Sequence, residues 1–262
     1  MNVKSMVIES DLKISIRNTV IGGSNLLICV PLMARGKTEL LKEAQTALQH
    51  KPDLLEWRVD AFNSPIDSDT CLDALTALRD IIGDLPLVFT HRSHGEGGYA
   101  EVPADKRESV IAAAIRSGYV DLIDIELSND ELFIRNISKA TKDSGLQLIL
   151  SYHDFETTPD SDVIVETLFN ARSQGADIAK VAVMPQEFGD VLTLMGAALQ
   201  ARKNGLKIPM IAISMGTVGG LTRVAGKRFG SDITFASSQS VSAPGQIPIE
   251  KLRQTLALLE CH

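Results

Sequence analysis

Lys180 stands in the middle of a short apolar stretch, between Asp177 and Pro185. The β-branched residues of this stretch and the proline that ends it predict a buried strand. Because strand side chains alternate between faces, Lys180 shares a face with Ile178 and Ala182. A lysine enclosed on both faces loses hydration, which favours its neutral amine, and a neutral amine can attack a carbonyl carbon to form a Schiff base. The structural alternative is a lysine that extends to the end of the strand and pairs with an acid.

Apolar stretches and helical patterns alternate along the rest of the chain in eight units. Strands are predicted at 25–30, 54–59, 87–90, 120–125, 148–151, 177–185, 210–214 and 233–236, and helices at 38–51, 68–82, 104–116, 129–142, 160–173, 188–203, 222–229 and 248–259. Thr38 is the predicted N-cap of the first helix. Such units require parallel strands joined by crossover helices. Eight of them in 262 residues predict a single-domain (β/α)8 TIM barrel over 1–262.

Residues 1–22 precede the barrel units. The alternating stretch 12–17 and the glycine pair at 22–23 predict a short hairpin or edge element, which could close one end of the barrel.

Composition narrows the classes of partner. The net charge of −7 argues against nucleic acid and anionic membranes as main partners. The N-terminus lacks the pattern of a signal peptide, and the longest apolar run, 26–34, is too short to span a bilayer. Cys29, Cys71 and Cys261 lack the spacing of metal ligands and predict free thiols in a reducing compartment, with Cys29 in the core. We therefore expect a cytoplasmic protein.

Polar side chains gather at the predicted carboxyl ends of the strands, where the active sites of such barrels lie. They are Glu56, Arg58, Asp60, Arg92, Glu96, Asp124, Glu126, Ser151, His153, Lys180, Arg223, Ser242 and Gln246. The three arginines among them indicate an anionic substrate, either a carboxylate or a phosphate. The glycine-rich turn 216–220 resembles a phosphate cradle, which by itself is a weak signal.

Structural roles compete with chemical ones for several of these residues. Glu56 and Arg58 could form an internal ion pair, and Asp124 with Glu126 is expected to form a structural network beside the lysine. His153 could instead cap the following helix. His91 and His94 are expected to be solvated loop residues, and His50 and His262 to be peripheral.

Seven motifs, taken together, resemble the type I 3-dehydroquinate dehydratases. They are Glu56-Trp-Arg-Val-Asp60, Phe89-Thr-His-Arg92 with Glu96-Gly-Gly98, Ser151-Tyr-His-Asp-Phe155, Lys180-Val-Ala-Val-Met-Pro185, Ser214-Met-Gly216 with Arg223, Phe229-Gly-Ser231, and Ser242-Ala-Pro-Gly-Gln246. The resemblance covers residues from about 25 to 250 and leaves 1–22 outside. The departures are small: Thr222 stands where serine is expected, and His91 and His94 flank Arg92 where the family varies.

The resemblance implies dehydration of 3-dehydroquinate, a small carboxylate, to 3-dehydroshikimate with no metal and no organic cofactor. By this resemblance Lys180 forms an iminium with the ring ketone, and His153 acts as general base and then as general acid. Glu96 is expected to orient His153, and Arg223 to bind the carboxylate. Glu56, Arg58 and Arg92 would hold ring hydroxyls together with Ser242 and Gln246 on a lid loop. The resemblance also implies a homodimer.

Two other functions stay open at this stage. A class I aldolase would use the same kind of lysine on a phosphorylated or carboxylated substrate, with the 216–220 turn as its phosphate site. A barrel that only binds a carboxylate would use the arginines and would not need a desolvated lysine beside a histidine.

Overall fold

Parallel strands alternate with helices around a curved sheet in the computed structural model, which describes residues 7–238 and 242–260. The strands are β1 (Ile14–Ile16), β2 (Thr19–Ile21), β3 (Leu27–Leu32), β4 (Leu54–Arg58), β5 (Leu87–Thr90), β6 (Leu122–Glu126), β7 (Gln147–Asp154), β8 (Ile178–Val183), β9 (Met210–Ser214), β10 (Ile233–Ser237) and β11 (Ile247–Pro248). The helices are α1 (Lys37–Gln49), α2 (Ser68–Ile82), α3 (Ala104–Ser117), α4 (Glu131–Asp143), α5 (Ser161–Ser173), α6 (Phe188–Lys203), α7 (Gly220–Ala225) and α8 (Ile249–Glu260). Strands β3 to β10 with their helices form the predicted (β/α)8 barrel.

The barrel sheet runs in the order β11-β10-β3-β4-β5-β6-β7-β8-β9 with parallel pairing. Between β9 and β10 a short set of individual hydrogen bonds takes the place of a paired ladder. The amide of Asp232 donates to the carbonyl of Met210 at 2.7 Å, and the amide of Met210 donates to the Asp232 side chain at 2.9 Å. The amide of Ala212 donates to Ser231 Oγ at 3.0 Å. These bonds join the two edges of the sheet.

Two apolar layers hold the barrel together. The outer face of the sheet packs on the helices through large buried side chains such as Trp57 and Phe89, whose rings meet edge to face at 5.5 Å. The barrel interior is filled by a second cluster, which includes the first residues of several strands. None of the helices in the described residues is both long and apolar enough to cross a bilayer.

The predicted hairpin is confirmed for the residues that the structure describes, while 1–6 lie outside them. Strands β1 and β2 pair antiparallel, with Ile14 opposite Ile21. Ile16 and Ile21 are buried against the strand starts Leu27 and Leu54. The hairpin therefore covers the amino ends of the barrel strands, opposite the end at which an active site is expected.

Several element boundaries differ from the sequence-based prediction, and three of the differences have a physical cause in the structure. Thr38 is not the N-cap, because α1 begins at Lys37 and the Gly36 carbonyl already accepts the amide of Leu40. Strand β7 continues through Asp154, because the ladder with β8 runs that far. The predicted helix 222–229 is shorter and begins earlier, with a 3₁₀ turn replacing its second half from Gly226 on, in keeping with the weak helix propensity of glycine.

Candidate active site

A cavity opens at the carboxyl ends of the barrel strands. It holds about 470 Å³ of space between atoms, including the part that faces solvent, and this is within the usual size of small-molecule sites. All nine residues that the sequence predicted for catalysis or substrate binding line it, namely Glu56, Arg58, Arg92, Glu96, His153, Lys180, Arg223, Ser242 and Gln246. Strands β4, β7 and β8 and the segments that follow β5, β9 and β10 bring them together.

Lys180 is buried in this cavity and paired with an acid. Its Nζ donates to Oδ2 of Asp124 at 2.7 Å and lies 4.7 Å from the centre of the Phe235 ring. Strands β6, β7 and β8 are consecutive in the sheet, and Lys180 lies opposite Ser151 in the ladder. The lysine is therefore enclosed, and it is also ion-paired as in the structural alternative, but the pair is buried and does not lie at a solvated strand end.

His153 reaches the cavity from the end of β7 and is held through one ring nitrogen. Its Nδ1 lies 2.9 Å from Glu96 Oε2, and its backbone amide donates to the same oxygen at 2.8 Å. The other carboxylate oxygen of Glu96 accepts a hydrogen bond from Ser128 Oγ at 2.5 Å. The Phe155 ring stacks on the imidazole at a centroid distance of 6.4 Å. With Nδ1 engaged by Glu96, Nε2 is the nitrogen that is left for a ligand in the cavity.

Burial changes the protonation of this pair. Burial, reinforced by the charges of Arg92, Lys180 and Arg58, holds the pKa of His153 well below its ordinary value. Burial also raises the pKa of the Glu96 carboxyl to about 7, although the hydrogen bond from Ser128 and the charge of Arg92 oppose this rise. The imidazole is therefore neutral at neutral pH, which is the form of a general base.

Arg58 and Arg92 each meet carboxylates of the protein. Arg58 binds Asp60 through two parallel hydrogen bonds of 2.9 and 2.8 Å. Arg92 contacts Asp124 Oδ1 and Glu126 Oε1 at 2.9 Å each. Glu56 accepts from Thr90 at 2.8 Å. Arg58 thus pairs with Asp60 and not with Glu56, which was the structural alternative for these two residues, because Asp60 offers Arg58 the two-oxygen geometry that guanidinium prefers.

Arg223 differs from these arginines. It is 1% exposed, and it donates to the carbonyls of Phe235 at 3.1 Å and Pro244 at 3.0 Å. Among the described residues its buried Nε has no hydrogen-bond partner, and no carboxylate pairs with its guanidinium. Burial lowers the pKa of Arg223 to about 10. A buried cation without a counterion that lines a cavity is suited to bind an anion there.

The segment from Ser242 to Gln246 covers one side of the cavity. The side-chain amide of Gln246 forms two hydrogen bonds with Ser242. Its oxygen accepts from the Ser242 backbone amide at 3.0 Å, and its nitrogen donates to Ser242 Oγ at 2.9 Å. The carbonyl of Pro244 accepts from Gly216 at 3.1 Å. Gly245 has φ of 75°, and a Cβ there would lie 2.0 Å from the carbonyl oxygen of Gly216. Only glycine permits this close approach of the segment to the turn after β9.

Other sequence-based expectations have mixed outcomes. His91 is not solvated: it is fully buried, because it alternates with Arg92 and turns away from the cavity, with Nε2 3.1 Å from the Pro65 carbonyl. His94 is exposed, as expected. Cys29 lies in the core as predicted, whereas Cys261 and His262 lie outside the described residues. Asp124 and Glu126 form the expected network beside the lysine.

The glycine turn 216–220 does not form a phosphate cradle in this cavity. Its residues are absent from the lining of the cavity, and α7 behind it is only 6 residues long. A Cβ on Gly219 would lie 2.1 Å from the Ser214 carbonyl oxygen. Close packing on the end of β9 therefore explains the glycine at 219.

Two groups that support the site escaped the sequence analysis. Ser128 follows β6 by two residues, so the same strand-end reasoning would have found it. Arg107 lies on α3 and binds Glu126 at 2.5 Å. Its signal in the sequence is a charge at helical spacing from Val110, Ile111 and Ala114, on the face that packs on the sheet. Among the described residues, no cluster of three or more His, Cys, Asp and Glu side chains is arranged to hold a metal ion.

Fold and site together define a (β/α)8 barrel with a cavity at the carboxyl ends of its strands. The cavity is lined by the buried Lys180, the neutral imidazole of His153 and the guanidinium of Arg223, which is suited to bind an anion. The family model for type I 3-dehydroquinase matches residues 28–261. The chain belongs to this family.

Named relatives agree over nearly the whole chain. The 3-dehydroquinate dehydratase of Geobacillus sp. (strain WCH70) is 41% identical over 251 residues, which cover 95% of this chain and 96% of the relative. The crystal structure of 3-dehydroquinate dehydratase from Geobacillus kaustophilus HTA426 superimposes with a TM-score of 0.94 at 40% identity, covering 97% of this chain and 98% of that one. The type I enzyme from Clostridium difficile, solved with covalent modified comenic acid, has a TM-score of 0.91 at 36% identity, with coverages of 95% and 97%.

Proposed function

We propose that the protein dehydrates 3-dehydroquinate to 3-dehydroshikimate through a Schiff base on Lys180. The observation that carries the proposal is the presence, in one cavity, of the buried Lys180, the neutral His153 and the unpaired Arg223. The substrate has a ketone for the first, a C–H beside that ketone for the second, and a carboxylate for the third. Membership of the type I 3-dehydroquinase family supports the same reaction.

The reaction begins at Lys180. Its neutral amine adds to the ring ketone, and the carbinolamine takes up a proton and loses water to give an iminium. The iminium withdraws electrons from the adjacent carbon, so that the C–H there becomes acidic enough for an imidazole base. The positive charge of the iminium faces Asp124, whose Oδ2 lies 2.7 Å from Nζ in the free protein.

His153 then moves one proton twice. Nε2 removes the proton beside the iminium carbon to give an enamine, and the resulting imidazolium returns that proton to the departing β-hydroxyl, which leaves as water. Hydrolysis of the iminium consumes one water and releases the product and the lysine. The low pKa of His153 keeps it ready as a base, and Glu96 on Nδ1 stabilises the transient imidazolium.

The remaining residues bind the substrate. Arg223 takes the carboxylate, because no carboxylate of the described residues pairs with its guanidinium. Arg58, Arg92 and Glu56 line the opposite side and hold ring hydroxyls, while Ser242 and Gln246 close over the substrate and exclude water. The iminium is itself the electron sink, so the reaction needs neither a metal nor an organic cofactor.

An aldolase reaction has less support. It would share the lysine, but the phosphate site expected for it at 216–220 is not part of the cavity. The structure of the Clostridium difficile relative contains covalent modified comenic acid, which agrees with a nucleophilic side chain in the family. It does not distinguish a reaction that breaks a C–O bond from one that breaks a C–C bond. Product analysis separates the two reactions, because dehydration yields a conjugated enone and aldol cleavage yields two fragments.

The test is incubation with 3-dehydroquinate. We expect new ultraviolet absorbance from the enone and, after a borohydride quench, a substrate-sized mass increase on the peptide that contains Lys180. Absorbance without any adduct would refute the Schiff base, and an adduct on another peptide would refute the assignment of Lys180. Two carbonyl fragments in place of the enone would identify an aldolase.

We also propose that the chain forms one barrel domain and acts as a cytoplasmic homodimer. Free thiols in the core, Cys29 and Cys71, fit a reducing compartment. The start of α6 carries two strongly exposed apolar residues one turn apart, Phe188 at 75% and Leu192 at 66%. Such a pair is suited to a contact with a second copy, and sedimentation of Phe188→Lys against the unmodified protein tests this.

A further inference from the structure

Arg107 is a charged residue on the buried face of α3. Only 5% of it is exposed, and it lies at helical spacing from the buried Val110 and Ile111. Its guanidinium donates to the His91 carbonyl at 3.1 Å, to Asn129 at 3.0 Å and to Glu126 at 2.5 Å, and it lies over the Phe133 ring at 5.3 Å. Burying a cation is costly unless it is paired in this way, and Arg107 does not line the cavity.

A chain of alternating charges connects Arg107 to the lysine. Arg107 binds Oε2 of Glu126 at 2.5 Å, and Oε1 of Glu126 binds Arg92 at 2.9 Å. Arg92 binds Oδ1 of Asp124 at 2.9 Å, and Oδ2 of Asp124 binds Lys180 at 2.7 Å. All five side chains are almost completely buried. Water screens these pairs poorly, so a charge at one end of the chain influences protonation at the other.

The balance of charge depends on Arg107. When Lys180 is neutral, the other four side chains of this set are two arginines and two carboxylates, so the net charge of the set is zero. Without Arg107 the same state would hold Asp124 and Glu126 against Arg92 alone. A buried set with one excess negative charge favours the protonated lysine, which cannot attack a ketone.

We propose that Arg107 is a positioning residue that allows Lys180 to become a neutral nucleophile. It does so by neutralising Glu126, which leaves Arg92 free to satisfy Asp124 when the lysine gives up its proton. The inference rests on the proposed role of Lys180 in the Schiff-base reaction.

Other ionisable groups also face Lys180, and none of them is substituted in the Arg107 variants. Cys29 on β3 lies close enough for mutual electrostatic influence. The other charged or titratable groups on the cavity are Glu56 and Arg58 on β4, Arg92 and Glu96 after β5, His153 on β7, and Arg223. A comparison between variants at 107 therefore isolates the charge at that position.

The experiment measures the reactivity of Lys180 itself and needs no substrate. The protein is labelled briefly with acetic anhydride from pH 6 to 11, in competition with a free amine, and acetylation of the Lys180 peptide is quantified by mass spectrometry. The variants are Arg107→Met, which removes the charge, and Arg107→Lys, which keeps it. Arg107→Gln retains a donor for the His91 carbonyl and replaces the methionine variant if that variant does not fold.

We expect the midpoint of the labelling curve to move toward alkaline pH by about one unit in Arg107→Met and to stay within about 0.3 unit in Arg107→Lys. At high pH, labelling of the methionine variant reaches that of the unmodified protein. A curve that keeps its midpoint in the neutral variant, Arg107→Met or its replacement Arg107→Gln, overturns the proposal. A loss of labelling that is uniform over the pH range would show a merely structural role and overturns it equally.

A second measurement separates this proposal from the proposed function. The pH dependence of kcat/KM on 3-dehydroquinate is recorded for the same proteins, and its acidic limb should follow the labelling curve. If the unmodified protein does not turn over 3-dehydroquinate while the labelling curve still shifts in Arg107→Met, the proposed function fails and the role of Arg107 stands. If the unmodified protein turns over 3-dehydroquinate and the labelling curve does not shift in Arg107→Met, the proposed function stands and the role of Arg107 fails.

Discussion

Two buried lysine–aspartate pairs with nearly the same partners occupy two different regions of this barrel. In the cavity, Asp124 binds Lys180 at 2.7 Å and Arg92 at 2.9 Å. At the seam between β9 and β10, Asp232 binds Lys227 at 2.6 Å and Arg202 at 2.6 Å. Each aspartate also accepts from a serine hydroxyl, Ser151 in the cavity and Ser10 at the seam. Both aspartates are fully buried.

The surroundings of the two pairs differ. Asp232 also takes the backbone amide of Met210, so it joins two strand edges that do not form a ladder. The amine of Lys227 forms an ion pair with this aspartate. Lys180 ends in a cavity that it shares with His153 and Arg223. If the proposed function holds, burial and an ion pair alone do not make a lysine reactive. The space beside the amine and the groups across that space then distinguish a lysine that stabilises the fold from one that attacks a ketone.

The sharpest test of the comparison replaces each lysine by methionine, which keeps the length of the side chain. Lys180→Met should lose at least about 10⁴-fold in turnover and all borohydride trapping, because among the described residues no other lysine lines the cavity. Lys227→Met should keep turnover per folded molecule within about threefold. Enone absorbance and the mass of the trapped peptide measure both effects.

Stability should not separate the two lysine variants. Each change removes one partner of a buried pair, and we expect a loss of about 3 kcal/mol in the free energy of unfolding for both, measured by urea denaturation. Trapping that survives in Lys180→Met, or disappears in folded Lys227→Met, would break the distinction between the two pairs.

The second largest effect is expected at His153. His153→Ala should still form the imine, because Lys180 keeps its surroundings, but turnover should fall about 10² to 10⁴-fold. The measurement compares the yield of the borohydride adduct with the rate of enone formation in one preparation. Turnover close to that of the unmodified protein would assign the proton transfers to another group on the cavity.

Much of the cavity was predictable from sequence, and most of the seam was not. Apolar runs show where strands end, and in a parallel barrel all strand ends meet at one mouth, so Lys180, His153 and Arg223 could be grouped before any geometry was known. Asp232 precedes β10 and carries no comparable signal. Its role depends on two strand edges that meet without a ladder, which no local pattern predicts.

The same limit applies to residues that act from the helix layer. Arg107 stands on a covering helix, where a charge normally faces solvent, and its contact with Glu126 depends on how α3 packs on β6. His91 and Arg92 are neighbours in the chain, yet one faces the helix layer and the other the cavity. The prediction that His91 is solvated failed because the first loop residue after β5 turns away from the cavity and is buried, with its Nε2 3.1 Å from the Pro65 carbonyl.

A third test of the comparison uses one arginine from each region, Arg202 at the seam and Arg223 in the cavity. Arg202 is bound to Asp232, whereas Arg223 faces the cavity with no carboxylate partner among the described residues. Arg223→Met should raise KM about 10 to 100-fold, since a hydrogen-bonded charge pair with the substrate is lost. It should change the free energy of unfolding by less than about 1 kcal/mol, because an unpaired buried cation contributes little to the fold.

Arg202→Met is the matched control for Arg223→Met. It should leave KM unchanged and lower the free energy of unfolding by about 3 kcal/mol. The measurements are substrate saturation curves and urea denaturation of both variants. Equal KM values for Arg223→Met and the unmodified protein would remove Arg223 from the carboxylate site.

The smallest expected effect concerns Glu96 and depends on pH. Burial raises the pKa of Glu96 to about 7, so between about pH 4.5 and 7 the folded protein keeps a proton that the unfolded chain releases. The folded state binds more protons in this window, and the stability of the unmodified protein therefore falls as pH rises through it, by up to about 3 kcal/mol. In Glu96→Gln this fall should disappear, which urea denaturation at pH 4.5 and 7.5 measures. Activity should drop only about tenfold, and its acidic limb should move to lower pH, because an imidazole without a neighbouring carboxylate is harder to protonate. A stability difference between the two proteins that stays constant with pH would mean that Glu96 is already ionised throughout this range.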